Sequence, residues 1–141
     1  MAAQPPLPVG GKLFVSVKDA DKPSIARLAK ELTELGFILY ATGGTAAAIA
    51  STGVAVKRLF KIAEGRPHVL DMIRNDDINL IINTPSGKTP RKDEIRIRSL
   101  AVARRIPVLT TISGVEASIR AIRSLQVKGL NVKSIQEYQR A

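Results

Sequence analysis

Hydroxyls, glycines, an amide and ammonium groups recur in this chain at the ends of short apolar runs, without a carboxylate pair among them. Lys18 and Lys22 follow "KLFVSV", Thr42-Gly43-Gly44-Thr45 follows "FILYA", and Lys61 follows "VAVKRLF". Asn83, Thr84, Ser86 and Gly87 close or follow "INLIINT", and Thr110 and Thr111 end "IPVLTT". Ammonium groups attract phosphate, an amide offers a donor and an acceptor to a ribose or base edge, and glycine lets backbone approach a ligand. The chemistry of this set is anion binding rather than acid–base catalysis. Within "LYATGGTAAAIA", Thr42 or Thr45 can cap the helix that follows. The helix then presents unpaired N–H groups at its positive end. This turn is neither a GxGxxG fingerprint nor a Walker loop, and a tight connection with a threonine cap and no ligand uses the same residues. Each lysine alone reads as a surface charge; their convergence carries the anion reading.

That convergence requires a parallel sheet, whose strands all deliver their carboxyl ends to one edge. The order of apolar runs and helical patterns predicts one. Strands are expected over 12–17, 37–41, 54–60, 78–84 and 106–111, with helices over 22–35, 45–52, 67–75, 93–105 and 115–128. Pro23 suits a first helical turn, Asp19 and Asp21 are candidate caps, and Gly36, Gly53 and Gly129 are candidate stops. "NVKSIQEY" is expected either as an edge strand or as a docked segment. "MAAQPPLPVGG", residues 1–11, reads as a linker or lead-in to a domain over 12–141. Alternating strands and helices predict a three-layer α/β/α, Rossmann-like domain with a five-stranded, mostly parallel sheet.

The 141 residues suit one domain, and 45% hydrophobic content supplies a core. Zero cysteines exclude disulfides and thiolate metal sites, and one histidine excludes a histidine-rich one. No run reaches the roughly 20 apolar residues of a membrane span and no secretory leader is evident, so a cytoplasmic protein without a membrane partner is expected. A formal net charge of +10 and a pI near 10.4 favour anionic partners. Aromatics are only 4%, too few for base stacking, and "RKDEIRIRSLAVARR" (91–105) reads as a solvated helix face, so nucleic acid is not the expected partner. His68 in "EGRPHV" reads as a structural hydrogen-bonder, and Glu64 and Arg66 either as a pair with each other or as residues that order that loop.

"LFVSVKDADK", "GFILYATGGTA", "KIAEGRPHVLDMIRN", "INLIINTPSG" and "IPVLTTISG", in this order, resemble the C-terminal allosteric domain of the carbamoyl phosphate synthetase large subunit. The resemblance implies a methylglyoxal-synthase-like fold and a domain without catalysis or cofactor of its own. It also implies UMP or IMP as effector, and as partners the rest of the large subunit and the glutaminase small subunit. The parent enzyme would be an ATP-dependent ligase using Mg or Mn, serving pyrimidine and arginine biosynthesis. Carried over position by position, the nucleotide site comprises Lys22, Thr42, Thr45, Lys61 and Asn83, joined by Gly43, Gly44, Thr84 and Ser86 from the anion reading. Pro85 stands where the enterobacterial pattern has threonine. Thr110 matches a threonine at an ornithine border, but Val108 and Leu109 replace the expected tyrosine and aspartate. Two relatives of this fold are alternatives. A methylglyoxal-synthase-type lyase needs an acidic loop where this chain has Arg66 and a later histidine that it lacks; a purine-biosynthesis IMP cyclohydrolase shares only the Thr-Gly-Gly-Thr type of turn.

Overall fold

The computed structural model describes residues 5–87 and 91–140, with the side chains of the last helix described as far as Gly129. The sheet is formed by β1 (Gly11–Ser16), β2 (Phe37–Thr42), β3 (Lys57–Leu59), β4 (Leu80–Asn83) and β5 (Val108–Leu109). Its spatial order is β3-β2-β1-β4-β5 and all four pairings are parallel. The helices are α1 (Lys22–Glu34), α2 (Gly43–Ala50), α3 (Val69–Arg74), α4 (Lys92–Ala103) and α5 (Ile112–Arg140), with one 3-10 turn at Asp19–Asp21.

Side chains alternate between the two faces of a strand, and here both faces are apolar. Leu13 and Val15 of β1, Leu39 and Ala41 of β2, and Leu80 and Ile82 of β4 pack with Ile25 and Leu28 of α1, Ile49 of α2 and Ile119 and Ile122 of α5. The intervening Phe14, Tyr40 and Ile81 pack with Leu70 and Ile73 of α3 and Ile97 and Ala101 of α4. Helices therefore cover both faces and make the expected three layers.

Differences from the sequence-based expectation lie at element ends. β3 keeps only three residues of 54–60, because Val54 and Val56 pack on the first core outside the ladder. β5 keeps two; Pro107, which has no N–H to give, accepts instead from Ile81 N at 3.0 Å. α3 begins after His68, not at Pro67. Gly129 does not end α5, which runs on through "NVKSIQEY" and leaves no edge strand there. The reason is conformational: Gly36 (φ +105°) and Gly53 (φ +85°) turn left-handed and end their helices, whereas Gly129 stays helical. A lone helical glycine costs only about 1 kcal/mol. Of the proposed lead-in, residues 1–4 lie outside the described residues. The rest is partly tied down: Gly11 opens β1, Leu7 packs on the first core, and Val9 O accepts from Gln126 Nε2 of α5 at 2.8 Å.

Ile81 and Ile82 are both fully buried, on opposite faces of β4. Ile81→Ala and Ile82→Ala are each expected to lower unfolding stability in urea by about 2–5 kcal/mol. Val102→Ala, at a 74%-exposed position, should stay within about 0.5 kcal/mol of the parent.

Candidate functional site: an anion cradle at the carboxyl edge of the sheet

The strand order reverses direction from β1, so β2 and β4 flank it and their chain ends diverge around its carboxyl terminus. Such a switch point leaves a crevice. An open cavity of about 530 Å³ lies there, lined by Ser16, Val17, Lys18, Asp19, Ala20, Lys22, Thr42, Gly44, Thr45, Lys61, Thr84, Ser86, Arg91 and Glu94. A smaller recess of about 140 Å³ shares Ser16, Thr42, Lys61, Arg91 and Glu94 with it and adds Phe14, Phe60, Ile62, Val69 and Ile97, with Asn83 and Asp93. The polar cavity and the more apolar recess are contiguous.

Seven of the expected site residues, Lys22, Thr42, Gly44, Thr45, Lys61, Thr84 and Ser86, line the larger cavity, and Asn83 lines the recess. Gly43 stands behind Lys61: a Cβ there would lie 3.1 Å from Lys61 Cε, and its φ of +47° suits glycine. A Cβ on Gly44 would meet Lys22 Cε at 2.9 Å and Nζ at 3.4 Å. The glycines thus open the space through which two ammonium groups lie against the N-terminus of α2. Both belong to the first turn of that helix, which starts two residues earlier than the sequence suggests.

The hydroxyls do a different job from the one expected. Thr42 is the residue before α2 but its side chain makes no capping bond. Thr45 is only 3% exposed, and its Oγ1 accepts from Val17 N at 3.2 Å. Thr84 Oγ1 accepts from Lys18 N at 3.0 Å, and Asn83 Nδ2 donates to Ser16 O at 3.3 Å. All three secure the end of β1. Thr110 and Thr111 line neither cavity; Thr110 is exposed, and Thr111 Oγ1 caps α5 by accepting from Gly114 N at 3.0 Å.

Carboxylates absent from the sequence-based list also reach the cavity. Asp19 caps nothing; its Oδ1 instead pairs with Lys22 Nζ, and Asp21 pairs with Lys18 at 3.9 Å. The Lys22 ammonium, by hydrogen bond and then by charge, holds the Asp19 carboxyl below the ordinary carboxylate value. Arg91 acts in the same direction against a small opposing effect of burial. Glu64 orders its loop by accepting from Lys61 N at 2.8 Å, and Arg66 reaches Asp71 at 3.6 Å rather than Glu64. His68, 6% exposed, precedes α3; its backbone N donates to Asp71 Oδ2 at 3.3 Å. Arg91 and Glu94 were hidden in the run read as a solvated face, whose first turn in fact borders both cavities. Four cations and two carboxylates line the larger cavity, so a bound anion would be electrostatically favoured.

Among the described residues no helix is long and apolar enough to cross a membrane, and no group of three or more His, Cys, Asp or Glu is placed to hold a metal ion.

Gly44→Ala should push Lys22 from the helix N-terminus while leaving folding stability equal or up to about 1 kcal/mol higher, since the helix gains an alanine. Thermal unfolding beside a phosphate titration checks this, with weaker phosphate binding the expected result. In Lys22→Met, the Asp19 carboxyl should titrate closer to the ordinary carboxylate value, read by NMR. Its folded-state value is depressed, so the stabilising contact is present at neutral pH and is lost as pH falls through that value.

The MGS-like domain family model matches residues 24–110. The chain is 46% identical over 132 residues to a carbamoyl phosphate synthase large chain of Nostoc sp., covering 94% of this chain and 12% of the relative. It is 48% identical over 136 residues to the C-terminal section of the carbamoyl phosphate synthase large chain of Aquifex aeolicus, covering 93% of this chain and 25% of the relative. The crystal structure of methylglyoxal synthase from Elizabethkingia anophelis aligns with a TM-score of 0.64 at 23% identity, over 80% of this chain and 79% of that one, a likeness of fold. The chain therefore spans an eighth to a quarter of the length of these large-chain relatives, and it belongs to the MGS-like domain family in the form that carbamoyl phosphate synthase large chains carry.

Proposed function

We propose that this domain is the regulatory nucleoside-monophosphate site of a carbamoyl phosphate synthase large chain, with UMP or IMP as effector and no catalysis of its own. The observation that carries the reading is the placement of Lys22 and Lys61 against the Gly43-Gly44 end of α2, beside a contiguous apolar recess. A phosphate would sit where two ammonium groups and the helix N–H groups meet. The nucleoside would extend toward Ile62, Val69 and Ile97, with Asn83 at the boundary. In the parent enzyme, ATP with Mg or Mn would serve residues outside this chain, which would work with the remainder of the large subunit and a glutaminase subunit. Carbamoyl phosphate from such an enzyme would feed pyrimidine and arginine synthesis in the cytoplasm.

The lyase alternative requires a carboxylate that takes a proton from carbon. Of the two carboxylates in the larger cavity, Asp19, 98% exposed at its side chain and paired to an ammonium, is made a weaker base by that partner, and both oxygens of Glu94 are engaged, accepting from Ser86 Oγ and Arg91 N at 3.3 Å each. The regulatory reading is preferred on this ground. Binding can regulate only by favouring one state of the whole enzyme, so affinity is the first property to establish.

Calorimetric titration of the 141-residue chain with UMP and with IMP should give saturable one-site binding to at least one of them. Lys61→Ala should weaken it by about 1–3 kcal/mol, the cost of a charge-assisted contact, with little loss of stability. Binding of neither nucleotide would overturn the reading, and turnover of dihydroxyacetone phosphate would replace it with the lyase.

A further inference from the structure

Asn83 stands at the carboxyl end of β4, is 2% exposed and lines the recess. Its amide is held between two groups of fixed polarity. Arg98 Nη2, which can only donate, lies 3.3 Å from Oδ1, and the Ser16 carbonyl, which can only accept, lies 3.3 Å from Nδ2. A flipped amide would set NH₂ against a guanidinium and oxygen against oxygen, so one orientation is chemically determined. Nδ2 carries two hydrogens, and Ser16 takes one. The other remains for a ligand, from an amide whose oxygen is already engaged by a cation.

Arg98 itself is half-buried on α4, its Nε has no partner, and it meets no carboxylate within ion-pair distance among the described residues. A guanidinium whose Nε is shut off from water and from any partner is costly to the empty protein. Among the described residues its one side-chain partner is the neutral amide of Asn83, and its charge polarises that amide's N–H bonds.

We propose that Arg98 is a positioning residue that locks Asn83 with its N–H toward the ligand and sets behind it a guanidinium that makes no ion pair among the described residues, so that Asn83 itself offers a donor to a phosphate oxygen, beside the Asp93 and Glu94 that share the recess. The inference rests on the reading of the cavity as a phosphate-ester site. Its physical signature is a trade: removing the charge relieves the empty fold and weakens the anion, whereas a purely structural arginine would destabilise the fold when removed.

The test uses the 141-residue chain, its Arg98→Met variant, which keeps length without charge, and Arg98→Lys, which keeps the charge. Inorganic phosphate, UMP and IMP are titrated against each while the Asn83 side-chain amide resonances are followed by NMR, and the ligand-free melting temperature is measured. In Arg98→Met the Asn83 amide resonances should move, the melting temperature should hold or rise, and phosphate and nucleotide affinity should fall on the order of tenfold, with Arg98→Lys recovering most of it. Unchanged phosphate affinity in Arg98→Met, or a lowered melting temperature with unmoved Asn83 resonances, would overturn the proposal. If Arg98→Met does not fold, Arg98→Gln, a neutral donor of shorter reach, is read by the same criteria. Phosphate binding without either nucleotide would remove the regulatory reading and leave this one standing; nucleotide binding that is indifferent to Arg98 would do the reverse. A parent chain that binds none of the three ligands removes both.

Discussion

The structure depends on how the central strand ends. β1 is paired on both sides, and where its ladder stops, the backbone of Ser16, Val17 and Lys18 must still be satisfied inside the protein. Thr45, Thr84 and Asn83 supply those bonds from three directions, and Lys22 Nζ reaches Val17 O at 3.5 Å. Leaving one such group unmet costs about 1–3 kcal/mol. The side chains that close this account are the same ones that wall the cavity. Cavity shape and fold stability therefore share residues, and a hydroxyl here cannot be removed as a ligand contact without also loosening the strand.

The division of labour among the polar groups follows from this. Thr45 and Thr84 accept from backbone N–H groups and are buried, so they act chiefly as braces. The groups left to meet a ligand are those that β1 does not consume: the first N–H groups of α2, the ammonium of Lys61, the second Nδ2 hydrogen of Asn83, and Lys22 to the extent that Asp19 releases it. Asp19 holds Lys22 in place when the cavity is empty, at the cost of competing with any anion for the same ammonium. Glycine at 43 and 44 leaves room for the two lysines against the helix end, since a methyl at either position would crowd a lysine side chain.

Most of the fold was legible because the three central strands β1, β2 and β4 are apolar on both faces, which marks a sheet covered twice. Part of the cavity lining was legible too, since a parallel sheet delivers the residue after each strand to one edge. What escaped has identifiable causes. The run 91–105 carries so many charges that its apolar spacing is faint, yet Ile97 and Ala101 are four apart and buried, and Arg98 adjoins that buried stripe. That position is the signal by which the half-buried arginine could have been found. The capping expectation failed for another reason: a threonine at a helix start satisfies the capping pattern whether or not its hydroxyl turns to the helix, and for Thr45 a long-range partner 28 residues away in the chain wins, while Thr42 makes no capping bond. Gly129 failed as a stop because glycine permits a left-handed turn without compelling one.

The location of the cavities also limits how a ligand in them could be felt elsewhere. Coupling needs an element whose position the ligand biases. The lining residues come from the ends of β1, β2 and β4, the starts of α1, α2, α3 and α4, and the loop after β3 that Glu64 orders. None comes from α5, and none from Thr110 or Thr111. α5 is bound instead to the opposite end of α1 and the segment before β1, through Arg123 to Glu31 at 2.9 Å and Gln126 to Leu35 O and Val9 O. A bound anion would therefore act first on α4 and the Arg91 that precedes it, which bring Arg91, Glu94 and Arg98 to the cavities' edge, and on the loop that carries Lys61. These segments hold charged groups that an anion would attract or displace, and their surroundings are where a change on binding should be largest.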